Sequence, residues 1–71
     1  MSERGRFLVY CIEVYKRAKG TTGRQVFELF ERYGAIDYVM DSYGALHTTG
    51  EEYIVEDIDR FIANRRHQAI V

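Results

Sequence analysis

Apolar residues recur along this chain at intervals of three and four positions, the spacing that places side chains on one face of an α-helix. Four such stripes follow one another, and the first three end at turns that contain glycine. Proline, which interrupts helices, is absent from the 71 residues. We therefore predict an all-α fold, a compact bundle of about four short helices.

The first stripe predicts a helix over residues 7–18. The run from Phe7 to Ile12 also has the composition of a β-strand. However, the cationic residues that follow it suit the C-terminus of a helix, and Gly20 suits a left-handed cap. The residues expected on the buried face, with Ile12 and Val14 flanking them, are Phe7, Leu8, Cys11, Tyr15 and Ala18.

The second stripe predicts a helix that starts at a capping box between Thr22 and Gln25 and ends at Gly34. Its apolar positions are Val26, Leu29, Phe30 and Tyr33. A third helix is predicted over residues 35–47, and Gly44 within it is expected to allow a close approach of another helix. Its apolar face comprises Ile36, Val39, Met40, Tyr43, Leu46 and His47.

The last helix has two alternative starts. Thr48 with Glu51, or Thr49 with Glu52, would form a capping box and start the helix near residue 50. In the other alternative, residues 53 and 54 are extended and the helix starts near residue 55. The buried stripe is the same for both, namely Ile54, Ile58, Phe61 and Ile62.

A chain of 71 residues makes a single helical domain, residues 1–71. Its core is thin, since a domain this short buries only about 60% of the surface that its unfolded chain exposes. Residues 1–5 and 68–71 are expected to fray. The lone cysteine, Cys11, predicts a reducing compartment, and the longest apolar run is too short for a membrane span. We therefore expect a cytoplasmic protein without a membrane segment.

The charged residues are unevenly distributed along the chain. Residues 1–24 carry six basic and two acidic groups, whereas residues 25–59 carry one basic and nine acidic groups. We expect these segments to neutralise one another within the fold. The alternative is an acidic face that meets a basic partner, or a head-to-tail association of two copies.

His47 lies beside two threonines in a Thr-Thr-Gly turn, which invites a catalytic interpretation. A general base must be held against a nucleophile, but the Cys11 thiol lies on an apolar face, where its thiolate is disfavoured. We therefore expect His47 to hydrogen-bond to a helix end or to a threonine of the turn. No Cys or His pair has the spacing of zinc ligands. We predict no enzymatic activity, no metal and no cofactor.

A small helix-turn-helix nucleic-acid binder is the main alternative function. Its phosphate contacts would come from the basic N-terminal third, from Arg4, Arg6, Lys16, Arg17, Lys19 and Arg24. The third predicted helix, a natural recognition helix, carries Asp37 and Asp41 but no lysine or arginine. This charge disfavours nucleic acid as the partner.

The chain contains six tyrosines, a large number for 71 residues. Tyrosine combines a large contact area with a polar hydroxyl, so it suits both the edge of a small core and a protein interface. Tyr10 and Tyr38 lie off the predicted core stripes. A protein-binding face, or a homodimer that buries additional surface, would account for them.

Four blocks of the sequence form a recognisable combination. They are Phe7-Leu-Val-Tyr-Cys-Ile-Glu13, Val26-Phe-Glu-Leu-Phe-Glu-Arg-Tyr-Gly34, Leu46-His-Thr-Thr-Gly50 and Tyr53-Ile-Val-Glu-Asp-Ile-Asp59. Together they resemble a family of short bacterial proteins catalogued as domain of unknown function 3791. The resemblance implies a small stand-alone protein without an assigned activity. It also implies genes beside a larger, ADP-ribosyltransferase-like family, and hence an accessory or antitoxin-like role.

We predict a non-enzymatic protein-interaction module that binds a co-expressed protein, or a second copy of itself, in the bacterial cytoplasm. The predicted binding residues combine the turn that precedes the last helix, the acidic start of that helix and two tyrosines. They are Tyr38, His47, Thr48, Thr49, Tyr53, Glu56 and Asp57.

Overall fold

The computed structural model describes the backbone from Ser2 to Ile70 and the side chains as far as Gln68. Within this range the chain forms five helices and no strand, which confirms the all-α prediction. The predicted fraying of residues 1–5 and 68–71 stays a prediction, and Met1 and Val71 lie outside the described residues. The helices are α1 (Glu3–Lys19), α2 (Gly23–Tyr33), α3 (Ala35–Asp41), α4 (Tyr43–Leu46) and α5 (Glu51–Ile70).

Helix α1 begins at Glu3, before the predicted start at residue 7. The Ser2 side chain accepts a hydrogen bond from the Gly5 amide at 3.0 Å and so satisfies a backbone donor that the helix leaves unpaired. Gly20 ends the helix with a φ of 63°, and its amide donates to the Lys16 carbonyl. The helical interpretation of the run 7–12 is therefore correct, and the strand alternative is wrong.

The predicted boundaries of α2 are confirmed. The Gln25 amide donates to Thr22 Oγ1 at 3.1 Å, and the Thr22 amide donates to Gln25 Oε1 at 3.2 Å, so both halves of the capping box are present. Gly34, with a φ of 75°, ends the helix and turns the chain directly into α3. A left-handed backbone of this kind favours glycine, because it has no Cβ to clash with the chain.

The third predicted helix is interrupted at Ser42, which separates α3 from α4. The Ser42 backbone has φ −92° and ψ 8°, outside the helical region, and its amide donates to the Tyr38 carbonyl at 2.9 Å. The expected close approach of another helix at Gly44 is wrong, because no heavy atom of a neighbouring element lies within 4 Å of the position that a Cβ would take.

Helix α5 begins at Glu51, so the earlier of its two alternative starts is correct. Neither predicted capping box forms among the described residues. The Thr49 hydroxyl donates instead to the Leu46 carbonyl at 2.7 Å, at the end of α4. Two acids in the first turn, Glu51 and Glu52, favour this helix start electrostatically, because a helix N-terminus carries partial positive charge.

All five helices contribute side chains to one core. Val14, predicted at the flank of the first stripe, is buried, whereas Ala18, predicted within it, is exposed. The reason is that α1 packs against three helices, α2, α3 and α5, so its buried face is broader than one stripe. This buried face does not extend as far along the helix as Ala18. The buried apolar residues are Phe7, Cys11, Val14, Tyr15, Val26, Phe30, Ala35, Val39, Leu46, Ile54, Ile58 and Ile62.

Helix α5 is the longest element. Its 20 residues extend for about 30 Å at a rise of about 1.5 Å per residue, close to the longest dimension of the molecule, 35 Å. Residues 51–59 at its start carry five acids, and Arg65 and Arg66 lie near its end. Among the described residues, no helix has both the length and the apolar character that a membrane span requires.

Candidate functional site

A groove with a volume of about 420 Å³ lies between α1 and α5. Helix α1 lines it with one guanidinium and two apolar side chains, and α5 lines it with three carboxylates and one apolar side chain. Three carboxylates therefore face a single cation, and we call this site the acidic groove. Its residues are Val14, Arg17, Ala18, Glu51, Glu52, Val55 and Glu56.

The groove follows from the periodicity of two helices. Val14, Arg17 and Ala18 stand three and four positions apart and so share one face of α1. Glu52 and Glu56 are likewise four positions apart on α5. The adjacent face of α5 is anchored in the core by its buried isoleucines, and Val55 packs against that core, so both walls of the groove are held by packed helices and not by loops.

The carboxylates of the acidic groove are only partly neutralised. Arg17 Nη2 lies 3.3 Å from Glu51 Oε1, but the two side chains are 58% and 54% exposed, so this ion pair contributes little to stability. Glu52 and Glu56 are exposed, and neither forms an ion pair or a side-chain hydrogen bond within residues 2–68. Their carboxylates are available to a ligand from outside the chain.

Asp59, only three positions beyond Glu56, is bound on both of its oxygens. The Tyr15 hydroxyl donates to Asp59 Oδ1 at 2.5 Å, and Lys19 Nζ lies 2.6 Å from Asp59 Oδ2. Tyr15 is 5% exposed and packs edge-on against Phe30 at 5.3 Å between ring centres. Asp59 therefore fastens α5 to α1 across 44 residues of sequence.

Asp57 makes the equivalent connection on the side of α3. The Tyr38 hydroxyl donates to Asp57 Oδ2 at 2.5 Å, and Arg60 Nη1 lies 3.4 Å from Asp57 Oδ1. The Tyr38 ring stacks on Phe61 with 4.1 Å between ring centres. The two tyrosine–aspartate pairs thus join α5 to two different helices.

The protonation of both tyrosines follows from this geometry. Burial raises the pKa of Tyr15, and the hydrogen bond to the Asp59 carboxylate raises it further. The pKa of Tyr38 is raised for the same two reasons, burial first and then Asp57. Since a phenolate cannot donate a hydrogen bond to a carboxylate, both pairs require the neutral phenol.

A second groove, of about 480 Å³, lies on the other flank of α1. It is lined by Tyr15 and Lys19 in place of Val14 and Arg17. Asp59 is its only carboxylate, against the two cations Lys19 and Arg66, so we call it the basic groove. Its remaining lining residues are Thr21, Gln25, Val26 and Leu29.

The turn between α4 and α5 holds His47, Thr48 and Thr49, and none of the three lines either groove. His47 Nδ1 lies 2.7 Å from the Tyr43 carbonyl oxygen, and the His47 ring stacks on the Tyr43 ring at 4.3 Å between ring centres. His47 therefore closes the end of α4, as expected from the sequence. Thr48 is exposed, and the Thr49 hydroxyl donates a hydrogen bond to the Leu46 carbonyl.

The Cys11 thiol is the one thiol of the sequence, and its surroundings disfavour the reactive thiolate. Cys11 is fully buried, and burial raises the pKa of its thiol to about 12, so the thiolate is suppressed. Over the part of the chain that the structure describes, no group of three or more His, Cys, Asp or Glu residues is arranged to hold a metal ion.

The cations of the N-terminal third are largely engaged within the fold. Lys16 pairs with Glu13 and Arg24 with Glu28, each within its own helix. Arg17 and Lys19 pair with acids of α5, at Glu51 and Asp59. The expected neutralisation of the basic segment by the acidic one is therefore present for these two residues.

The predicted binding residues separate into three places. His47, Thr48 and Thr49 form the turn, while Tyr38 and Asp57 bind each other. Tyr53, which is 51% exposed, and Glu56 lie one helical turn apart on the outer side of α5, and Glu56 also lines the acidic groove. Of the groove residues, the predicted binding residues name only Glu56, while Glu51, Glu52 and Val55 lie in or beside the acidic helix start that was singled out, and Val14, Arg17 and Ala18 of α1 were not expected to take part.

A signal for the missed residues is present in the charge distribution. The basic end of α1 and the acidic start of α5 are complementary, so their proximity was implied by the expected neutralisation. What the sequence does not reveal is that α1 brings two small apolar residues to the same place as those charges.

The comparisons with known proteins give a family but no activity. No curated protein and no solved structure is significantly similar to this chain. One family, described as "Protein of unknown function (DUF3791)", matches residues 6–65. The match covers most of the 71 residues, and the chain belongs to this family.

Proposed function

We propose that this protein is a non-enzymatic interaction module that binds a co-expressed protein through the acidic groove and the adjacent outer side of α5. One observation carries the proposal. Glu52 and Glu56 have no partner within residues 2–68, and they border apolar side chains in a groove between two packed helices. A concave site with an apolar lining and a few polar groups is typical of a binding site.

The exposed ring of Tyr53 extends this surface. Tyr53 stands beside Glu52 and three positions before Glu56 on α5, and half of its surface is exposed. Tyrosine is enriched at protein interfaces because it offers a large contact area with little conformational entropy to lose. A partner seated in the acidic groove would reach Tyr53 on the same helix.

The chemistry of the candidate catalytic residues favours binding over catalysis. The Cys11 thiol is buried and neutral. The His47 ring contacts the Tyr43 carbonyl oxygen through Nδ1 and stacks on the Tyr43 ring. A catalytic dyad requires a base within hydrogen-bonding reach of a nucleophile. Catalysis therefore has no supporting pair among the described side chains.

The ion pairs likewise favour a protein over a nucleic acid as the partner. Phosphate binding requires cations that are free to neutralise phosphates. Four of the basic residues that would supply those contacts, Lys16, Arg17, Lys19 and Arg24, already pair with acids. A module that occupies and restrains its partner would fit an accessory or antitoxin-like role in the bacterial cytoplasm, where a free cysteine such as Cys11 is stable.

The test is affinity purification of the tagged chain from the cells that express it, with and without nuclease. We expect a stoichiometric protein that survives nuclease treatment. It should be lost from the variant Glu52→Gln/Tyr53→Ala/Glu56→Gln and retained by Asp37→Asn/Asp41→Asn, which removes two exposed acids from α3. Material that disappears with nuclease, or recovery of the chain with no other protein, would contradict the proposal.

A further inference from the structure

We infer that the partner inserts an arginine side chain into the acidic groove, with its aliphatic stem on Val14, Ala18 and Val55 and its guanidinium between Glu52 and Glu56. This inference rests on the proposed function and specifies the chemistry of the partner. It is carried by the combination of apolar lining, unpartnered carboxylates and helical spacing in one groove.

The apolar lining sets the shape of the ligand. Val14, at 3% exposed, forms the floor of the groove, while Ala18 is exposed and Val55 is partly exposed beside it, so the apolar surface open to a ligand belongs mainly to Ala18 and Val55. A free carboxylate, a sugar or a metal ion would leave this surface in contact with water. Arginine instead covers apolar surface with its methylene groups while its charged end remains among polar groups.

The carboxylates set the charge of the ligand. Glu52 and Glu56 stand four positions apart on α5, where two like charges repel each other. Among the side chains that line the groove, the only cation is Arg17, which lies against Glu51 at 3.3 Å. A guanidinium between Glu52 and Glu56 would remove the repulsion and hydrogen-bond to both carboxylates.

Arginine fits this site better than lysine. Its guanidinium is planar with five donors and can bridge two carboxylates, whereas the lysine ammonium is a compact, strongly hydrated charge. Arginine is also enriched among the residues that dominate interface energetics. The contact of Arg17 with Glu51 places a guanidinium of the chain itself at the rim of the same groove.

The basic groove provides an internal contrast. Both oxygens of its single carboxylate, Asp59, are bound by Tyr15 and Lys19. Arg66 adds a second cation to its lining. An incoming arginine would be repelled there, so the charge distribution directs the partner's cation to the acidic groove.

Selection of random peptides displayed on phage against the immobilised full chain tests this inference. We expect the enriched peptides to contain arginine next to aliphatic residues. In a synthetic peptide of the enriched sequence, Arg→Gln should weaken binding by about tenfold or more. Arg→Lys should weaken it less, because the charge remains while the bridging geometry is lost. Nuclear magnetic resonance shifts should map the bound peptide to Val14, Ala18 and Val55.

Variants of the protein complete the test. Glu52→Gln/Glu56→Gln should weaken the peptide by about tenfold or more. Asp37→Asn/Asp41→Asn, which removes the same charge elsewhere, should change affinity by less than about twofold. Both variants alter exposed residues, and their circular dichroism should match that of the parent chain.

Three results would overturn the inference: selection of peptides without arginine, selection of none, or equal binding to both variants. The proposed function would still stand if the affinity purification captured a protein that depends on Tyr53 and the groove. If the unmodified chain also captured no such protein, both the inference and the proposed function would be contradicted.

Discussion

Five acids lie between residues 51 and 59 on one helix, yet they belong to two different environments. Asp57 and Asp59, the inner acids, accept hydrogen bonds from Tyr38 and Tyr15 and fasten α5 to its neighbours. The outer acids are Glu51, Glu52 and Glu56, which line the acidic groove. Of the outer acids, Glu51 accepts from Arg17 in an exposed pair, whereas Glu52 and Glu56 have no donor within residues 2–68. Acids of one short segment are therefore separated into structural and available ones by the donors that their oxygens already have and by the exposure of those contacts.

Alkaline pH should have the largest effect, because it acts on both inner pairs at once. The pKa values of Tyr15 and Tyr38 are raised above the ordinary 10.0 by burial and then by the neighbouring carboxylates. The neutral phenols therefore stabilise the fold fully below about pH 10, and this contribution is lost as the pH rises through the raised values. Burial also raises the pKa of the Cys11 thiol from 9.0 to about 12, so the stability that the neutral thiol contributes is lost as the pH rises through this range.

Helicity measured by circular dichroism should consequently fall as tyrosinate absorbance develops. The exposed Tyr53 provides the control, since Tyr53→Phe should leave the alkaline transition unchanged. The variant Tyr15→Phe has no phenol to ionise at this position, so its helicity should persist to a higher pH relative to its own value at neutral pH. Full helicity after complete formation of tyrosinate would contradict the structural role of the inner pairs.

Removal of Asp59 should have the next largest effect. Asp59→Ala leaves the Tyr15 hydroxyl without its acceptor in a poorly solvated position, which costs about 2 kcal/mol of unfolding free energy. The exposed contact with Lys19 adds little. Tyr15→Phe in the same chain should recover part of the loss, because neither partner then remains unpaired. Urea unfolding of the single and double variants measures the coupling, and strictly additive losses would show that the pair is not coupled.

The pair on the side of α3 should be weaker. Tyr38 is only half-buried, so water can replace part of its lost hydrogen bond, and Asp57→Ala should cost about 1 kcal/mol. The neighbouring Arg60 loses an ion pair of small value. The Asp57 side chain is less exposed than that of Asp59, 13% against 40%, so this order rests on the deeper burial of Tyr15 compared with Tyr38. A cost for Asp57→Ala that exceeds the cost for Asp59→Ala would show that burial of the carboxylates, and not of the tyrosines, decides the order. Both costs come from the same urea titration.

The outer acids should have the smallest effect on stability. Glu52→Gln/Glu56→Gln removes a repulsion between neighbouring turns but also removes a favourable charge from the start of α5. These contributions oppose each other, so the unfolding free energy should change by less than about 0.5 kcal/mol. A larger loss in thermal or urea unfolding would mean that these acids support the fold, and the distinction between inner and outer acids would fail.

Much of the fold was predictable because it depends on local signals. Three features show this: the Thr22 capping box, the cap at Gly34 and the isoleucine stripe of α5. Each is formed by residues that are only a few positions apart in the sequence. The break at Ser42 was missed because neither glycine nor proline stands at that position. The start of α5 stayed open because residues 53 and 54 could also be extended before a helix that starts near residue 55. The capping boxes that favoured the start near residue 50 do not form, since the chain uses Thr49 for the end of α4.

The candidate site was less predictable because it depends on tertiary proximity. Tyr15 and Asp59 are 44 positions apart, and Arg17 and Glu51 are 34 positions apart. The sequence marked the segment 47–59 as acidic, but spacing alone could not assign Asp57 to Tyr38 and Glu56 to the groove. The distinction appears only when the positions of α1 and α3 beside α5 are known.

The role of the outer acids is tested most directly by the yield of the captured protein in affinity purifications from the cells that express the chain, compared between two variants of equal charge. We expect Glu52→Gln/Glu56→Gln to lose the captured protein while its melting temperature stays unchanged, and Asp37→Asn/Asp41→Asn to retain it. Retention by the groove variant, or equal loss from both, would contradict the claim that the outer acids of α5 form the binding surface.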